Sequence, residues 1–311
     1  MNRPLRVAFL GTPSVAVPVL RELARHLSVQ AVFTNPDRPA GRGRKVEPTP
    51  VKAAALELGI PVHQPERWRT EETRALWESL EIDLAVVVAY GHILPAWMLD
   101  SCRLGAWNLH FSLLPRWRGA APVNHAILDG DPETGVALMA ITPGLDAGPV
   151  VALSRRPITL EDTAEALLAT LAEDAAGLLA EHLPSLLDGT VKTTVQDESG
   201  VTHASKLDKG MSAVDPGRSA LALHRQVRAL QPWPGVEVKV QDQLIKVLAV
   251  GGLKASGEPA GTLVWNKDGA WLTAGDGQAL ELVSLQRPGK PVQPAAQALQ
   301  PLGASGKVRL V

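Results

Sequence analysis

The sequence Leu5-Arg6-Val7-Ala8-Phe9-Leu10-Gly11-Thr12-Pro13 contains a short apolar run that ends at a glycine. Similar apolar runs occupy residues 29–33 and 82–89, and amphipathic segments at 17–27 and 71–80 separate them. Apolar strands that alternate with helices are typical of a parallel sheet covered on both faces. The first part of the chain is therefore predicted to be α/β, with a Rossmann-like, mostly parallel sheet.

Three features argue against common protein classes. The turn after the first strand lacks the three glycines of a dinucleotide-binding fingerprint, which disfavours a nicotinamide enzyme. The single cysteine, Cys102, excludes an intramolecular disulfide and a cysteine-based metal cage. The first apolar run is too short to span a bilayer and lacks a signal-peptide cleavage region, so we expect a cytoplasmic protein.

The pattern changes near residue 209. Strands are predicted at 106–109 and 136–141, and a long helix at 162–187. After this helix the sequence becomes polar and its hydrophobic periodicity is lost. We therefore expect two domains, 1–209 and 210–311.

The second domain is predicted to be a small, partly open, OB-like β-barrel. It begins with a basic helix at 219–230. Short strands with Gly-rich turns follow, at residues 236–240, 244–250, 261–265, 270–273, 280–285 and 308–311.

The net charge of −1 hides an uneven distribution. Residues 1–209 carry 20 Lys/Arg against 25 Asp/Glu, a balance of −5, whereas residues 210–311 carry 11 against 7, a balance of +4. A basic second domain suits a partner with a phosphate backbone, although this charge alone is a weak signal.

The residues best suited to chemistry lie in the segment 108–119, which we expect beyond the carboxyl end of a parallel strand, where open α/β sheets bind ligands. Asn108 and His110 are two positions apart, so in an extended chain they project to the same side. An Asn amide can donate to a developing oxyanion, and a neutral imidazole can accept a proton. The pair therefore suits acyl transfer to an amine.

Asp146 is the candidate partner of the imidazole. It lies in Gly144-Leu145-Asp146-Ala147-Gly148 after the strand at 136–141, and we expect both loops at one edge of the sheet. A carboxylate that accepts from one ring nitrogen would fix the tautomer of the histidine. From the residues alone, a structural Asn-x-His pair and a turn aspartate are favoured over a catalytic set.

A second unusual segment, residues 34–52, is rich in cations, glycines and prolines. Its composition predicts a long exposed loop rather than a helix, and such loops are usually functional or disordered. Binding to RNA and simple solvation of the charges both remain open. The basic side chains are Arg38, Arg42, Arg44, Lys45 and Lys52.

Several motifs, in order along the chain, resemble those of the methionyl-tRNA formyltransferase family. They are Phe9-Leu10-Gly11-Thr12-Pro13, residues 35–43, Ala89-Tyr90-Gly91, residues 112–122, Gly144-Leu145-Asp146 and Arg228-Ala229-Leu230-Gln231-Pro232-Trp233-Pro234-Gly235. The resemblance implies that Asn108, His110 and Asp146 form a formyl-transfer site. It also implies 10-formyltetrahydrofolate as co-substrate, no metal, and methionyl initiator tRNA as acceptor for a monomeric enzyme.

The resemblance also implies two binding surfaces. Folate would lie against Ala89, Tyr90, Gly91, Ile93, Leu94, Pro95, Ser112, Leu113, Leu114 and Pro115. The tRNA acceptor end would meet Arg38, Arg42, Arg44 and Lys45, with Arg42 the main candidate. Phe111 departs from the small residue of many relatives, and we expect its ring to point away from His110 into the protein.

Two rival functions keep part of this pattern. A formyltransferase for a nucleotide-sugar amine would use the three site residues but not the basic loop. A non-catalytic RNA-binding protein would use the loop and barrel but leave the three site residues unexplained.

Overall fold

The computed structural model describes residues 3–40, 45–303 and 305–310. The chain forms two compact units. The first unit comprises Met1–Pro122, Glu133–Pro157 and Leu168–Ala204, and the second comprises Val123–Pro132, Ile158–Leu167 and Ser205–Val311.

The regular elements up to Ala204 include eleven strands and six helices among the described residues. The strands are β1 (Val7–Gly11), β2 (Val29–Phe33), β3 (Arg38–Ala40), β4 (Lys45–Glu47), β5 (Val62–His63), β6 (Leu84–Val88), β7 (Ala106–His110), β8 (Arg118–Gly119), β9 (Glu133–Ala140), β10 (Val150–Pro157) and β11 (His203–Ala204). The helices are α1 (Val17–His26), α2 (Pro50–Glu57), α3 (Glu71–Leu80), α4 (Ala96–Ser101), α5 (Pro122–Asp129) and α6 (Ala164–Asp188).

The main sheet of the first unit has the strand order β10-β9-β7-β6-β1-β2-β5. The five strands from β7 to β5 are parallel, whereas β9 and β10 are antiparallel to their neighbours. Every residue of β1 and β6 is buried, because helices cover a parallel sheet on both faces. The prediction of a mostly parallel α/β sheet is confirmed.

One side of this sheet packs against an aromatic cluster, which consists of Phe33, Trp68, Trp77 and Tyr90. Inside it, the indole N–H of Trp68 donates to the hydroxyl oxygen of Tyr90 at 3.0 Å. Burial raises the pKa of Tyr90 to about 12, so the phenol stays neutral. The phenol is therefore a hydrogen-bonding group of the core.

The segment predicted as one long loop, 34–52, is more structured than expected. β3 and β4 pair as an antiparallel hairpin, and α2 begins at Pro50, where the Thr49 hydroxyl caps the N–H of Lys52 at 3.1 Å. A capping Thr followed by Pro favours a helix start, which the Gly and Pro content of the segment obscured. Arg42 and Arg44 lie outside the described residues.

The second unit is built on an antiparallel sheet. Its elements are α7 (Ala220–Leu230), β12 (Val236–Val240), β13 (Gln243–Ala255), β14 (Thr262–Asn266), β15 (Gly269–Thr273), β16 (Gln278–Gln286), β17 (Gln293–Pro294), α8 (Ala295–Leu299) and β18 (Gly306–Arg309). The strand order is β12-β13-β16-β15-β14-β18, with β17 on β16. This antiparallel half-barrel confirms the predicted small, partly open β-barrel.

None of the helices among the described residues has the length and apolarity of a membrane span.

Replacing Tyr90 by Phe should destabilise the first unit. The change leaves the buried indole N–H of Trp68 without an acceptor, which costs about 1–3 kcal/mol. Urea unfolding followed by tryptophan fluorescence measures the loss. The control is the Trp68→Phe, Tyr90→Phe double variant, whose loss in free energy of unfolding should be smaller than the sum of the losses of the two single variants. Additive losses would show that the hydrogen bond between the two side chains does not contribute to stability.

Candidate active site

Asn108 and His110 are both part of strand β7. They lie within the last three residues of the strand, whereas the segment 108–119 was expected beyond the carboxyl end of a strand. Their neighbours across the ladder are Val87 of β6 beside Asn108, and Met139 and Ala137 of β9 opposite Asn108 and His110. Because alternate residues of a strand share a face, the two side chains project to one side of the sheet.

The imidazole of His110 is held by a backbone carbonyl. The side chain is buried, and Nε2 lies 2.9 Å from the carbonyl oxygen of Trp117. A carbonyl oxygen can only accept, so Nε2 must be the protonated nitrogen of the neutral ring. Nδ1 then carries the free lone pair and is the nitrogen that can accept a proton.

Asp146 approaches that nitrogen. Its Oδ2 lies 3.7 Å from Nδ1 of His110, which is within electrostatic range but too long for a hydrogen bond. The expected hydrogen bond from the ring to Asp146 is therefore absent, and the Trp117 carbonyl fixes the tautomer instead. The same carboxylate oxygen accepts from the backbone N–H of Gly119 at 2.8 Å.

The route by which Asp146 reaches the site also differs from the expectation. Because β9 is antiparallel to β7, the loop after β9 begins beside Trp107, next to the start of β7 and not beyond its end. Two hydrogen bonds from the Gln196 side chain, to the carbonyls of Asp146 and Gly148, hold this loop in place. The prediction that both loops emerge at one edge was wrong, although the two side chains do meet.

Sequence reasoning missed three groups of the site: the Trp117 carbonyl, the Gly119 N–H and the Gln196 amide. Two of them are backbone groups, whose role depends on local geometry and not on residue type. Gln196 is 50 residues from Asp146 along the chain. No spacing rule connects positions so far apart.

The first predicted folate-binding stretch, residues 89–95, follows β6, the parallel neighbour of β7. Gly91 has a positive φ of 80°, and a Cβ there would meet open space. Ile93 is 81% exposed, whereas the side chains of Tyr90 and Leu94 are buried. The backbone of this stretch, together with Ile93, is therefore the part available to a ligand. Ala89 also has a positive φ, and Pro95 caps α4.

The second predicted folate-binding stretch, residues 112–115, is largely internal. The Ser112 hydroxyl donates to the carbonyl of Arg116 at 2.7 Å, and Leu114 packs with Ala137 and Met139. Leu113 and Pro115 are partly exposed. Phe111 is buried, as expected for a ring that packs into the protein.

The base of the basic loop is tied down by polar contacts. Lys52 donates to Asp37 and to Gln64, and the hydrogen bond from Lys52 holds the pKa of Asp37 below its usual value. Lys52 is therefore committed to an internal pair rather than offered to a partner. Arg38 is exposed at the start of β3, and Lys45 begins β4.

The chemistry within reach of the site is acid–base and hydrogen-bonding chemistry. A donor amide and an imidazole whose Nδ1 can accept a proton lie on β7, and the carboxylate of Asp146 reaches the imidazole from the loop after β9. Within the part of the chain that the structure describes, no group of three His, Cys, Asp or Glu is arranged to hold a metal ion.

Family models match both units of the chain. The model for "Formyl transferase" matches residues 5–183, and that for "Formyl transferase, C-terminal domain" matches residues 206–302.

Curated relatives match almost the whole chain. The methionyl-tRNA formyltransferase of Paracoccus denitrificans is 44% identical and aligns with 95% of this chain and 97% of its own. That of Ruegeria pomeroyi is 45% identical and aligns with 94% of this chain and 95% of its own. That of Methylococcus capsulatus is 44% identical and aligns with 97% of this chain and 99% of its own.

Solved structures share the fold at low identity. An N-formyltransferase from Helicobacter canadensis, in complex with folinic acid and dTDP-3-aminofucose, has a TM-score of 0.68 and 18% identity, over 91% of this chain and 99% of its own. HypX from Aquifex aeolicus, in complex with tetrahydrofolic acid, has a TM-score of 0.65 and 19% identity, over 96% of this chain and 47% of its own. At such identities the likeness establishes the fold alone.

Replacing Gly119 by Ala should damage both stability and turnover. Gly119 has φ +122°, and an added Cβ would lie 2.4 Å from the carbonyl oxygen of Ala204. The strain should cost about 1–3 kcal/mol, and the displaced N–H would release the Asp146 carboxylate. Thermal unfolding and a turnover assay measure the two effects.

Gly177→Ala is the control for this substitution, because it lies inside α6 and its Cβ would meet nothing within 4 Å. It should stabilise the protein by about 0.4–1 kcal/mol. Equal changes in thermal stability and turnover in the two variants would refute the steric argument at Gly119.

Proposed function

The chain belongs to the methionyl-tRNA formyltransferase family, and from this premise we propose how its residues carry out the reaction. The enzyme transfers a formyl group to the amino group of the methionine carried by initiator tRNA. The observation that carries this conclusion is the 44–45% identity to enzymes of this name over nearly the full chain.

The formyl donor is derived from folate, and we propose that it is 10-formyltetrahydrofolate. In this reaction the methionyl amine attacks the formyl carbon and N10 of the folate leaves. The site needs only to position the two reactants, stabilise the oxyanion and move one proton from the attacking amine to N10 as it leaves. No metal is required for any of these steps.

Each of the three site residues has one proposed role. The amide of Asn108 donates to the oxyanion that develops on the formyl oxygen. Nδ1 of His110 accepts the proton that the attacking amine loses, because Nε2 is already committed to Trp117. Asp146, 3.7 Å from Nδ1, stabilises the imidazolium that this transfer creates.

We propose that folate lies beside the carboxyl end of β6, against the backbone of residues 89–95. The exposed Ile93 and the open space at Gly91 support this position. Contacts with residues 112–115 would then come from the backbone and from the partly exposed Leu113 and Pro115.

We propose that the tRNA acceptor end meets the basic segment 34–52, through Arg38, Arg42, Arg44 and Lys45. We assign the catalytic role to residues 1–209 and tRNA binding to the OB-like residues 210–311, whose net charge of +4 favours a phosphate backbone. Because one unit of one chain supplies all three site residues, we propose a monomer. Its place is the cytoplasm, where translation begins.

His110→Ala should lower turnover roughly 10²- to 10⁴-fold through loss of the base. Asn108→Ala should lower turnover about 10²- to 10³-fold through loss of the oxyanion donor. The rates of both variants are measured by single-turnover formylation of methionyl-tRNA with saturating enzyme. Near-normal rates in either variant would remove its assigned role.

Arg42→Ala should raise the KM for methionyl-tRNA and reduce its dependence on salt, because one phosphate contact is lost. Binding of a folate analogue should not change. Arg21→Ala, which removes an exposed cation from α1, serves as the control. An unchanged KM at low salt would mean that the loop carries only solvated charge.

The acceptor can be tested against its rivals in one experiment. Methionyl-tRNA and a nucleotide-linked amino sugar are offered together with 10-formyltetrahydrofolate, and the formylated products are measured. Formylation of the sugar, or RNA binding without any formylation, would overturn the proposed function.

A further inference from the structure

Residues that lie between the two family matches hold the loop that carries Asp146 in place. The matches cover residues 5–183 and 206–302, so residues 196–204 lie in neither. We call residues 196–204 the anchor segment. Its contacts within the first unit lead directly to the groups that surround His110 and Asp146.

The side chain of Gln196 binds the loop that carries Asp146. It is 7% exposed, and its Nε2 donates to the carbonyl of Asp146 and to the carbonyl of Gly148, both at 2.7 Å. Both partners can only accept, so the amide nitrogen must face the loop. The two N–H groups of one amide thus fix the backbone on both sides of Ala147.

The other end of the same amide is also committed. Its Oε1 accepts from Nε of Arg118 at 3.1 Å, and the buried guanidinium of Arg118 pairs with Glu198 at 2.8 Å. The buried amide therefore uses both donors and its acceptor. Such a fully satisfied contact orients its partners rigidly.

The anchor segment also holds the backbone of residues 117–119. β11 pairs in parallel with β8, and the hydroxyl of Thr202 accepts from the N–H of Trp117 at 2.9 Å. This backbone supplies the carbonyl that binds His110 and, at Gly119, the N–H that binds Asp146. The anchor segment therefore reaches both the base and the carboxylate.

We infer that Gln196 is a positioning residue for formyl transfer, because it holds the Asp146 carboxylate at the distance from His110 that the reaction needs. This inference rests on the proposed roles of His110 and Asp146. Gln196 itself touches neither reacting atom, so its effect must pass through Asp146.

The test is Gln196→Glu, which keeps the shape of the side chain and an acceptor for Arg118. It places a carboxylate oxygen against two carbonyls in place of two donors, so the loop must shift. A displacement of this kind should lower kcat roughly 10- to 100-fold, with less than about a threefold change in the KM values for tRNA and folate. Val195→Ala, next to it and 83% exposed, is the control and should behave as the parent enzyme.

A double-mutant cycle separates positioning from general stability. Asp146→Ala should itself lower turnover by at least roughly 10²-fold. In that background Gln196→Glu should have no further effect on turnover, because Gln196 acts through the missing carboxylate. A merely structural role would instead give the same loss in both backgrounds and a matching fall in Tm.

The outcomes are distinct. Normal turnover in Asp146→Ala would overturn the proposed catalytic site. A damaged Asp146→Ala enzyme with a normal kcat in Gln196→Glu would overturn only the inference about Gln196. If Gln196→Glu does not fold, Gln196→Met, which has similar length and neither donor nor acceptor, replaces it; failure of both to fold would mean that Gln196 is structural and would also overturn the inference.

Discussion

The hydrogen bond between Nε2 of His110 and the carbonyl of Trp117 determines the chemistry of this site. It commits one nitrogen of the ring as a donor, so the second nitrogen is the proton acceptor. The carboxylate of Asp146 faces that second nitrogen, so in the proposed mechanism the proton taken from the substrate amine would arrive beside a negative charge. If the ring were turned or its tautomer reversed, the same three side chains could not perform this step.

Much of the fold follows from the sequence because its strands are continuous apolar runs. β1 and β6 are buried throughout, and β2 is buried at every residue except Gln30. Strands buried on both faces have nearly continuous apolar sequences, which is why they can be recognised. The direction of β9 did not follow, because the same apolar residues suit a parallel or an antiparallel neighbour. The start of α2 was also missed, since glycines and prolines nearby masked the Thr-Pro cap.

The candidate site could be predicted in part for a related reason. Asn108 and His110 are neighbours on one strand, and a period of two suffices to bring them together. Asp146 was identified from its glycine-flanked motif and the family resemblance, but the reason offered for its approach was wrong. The contacts that bring it there come from Gly119 and Gln196, and depend on β8 pairing with a strand about 85 residues away. Such long-range pairings leave no local signature in the sequence.

The most direct test of this account is the tautomer of His110 in the free enzyme. Nitrogen NMR of protein labelled with ¹⁵N-histidine reports which ring nitrogen carries the proton, and the spectrum of His110→Ala assigns the signal. The account predicts a neutral ring protonated at Nε2, with Nδ1 unprotonated. A ring protonated at Nδ1 alone would contradict it, because the nitrogen that faces Asp146 could then accept no proton.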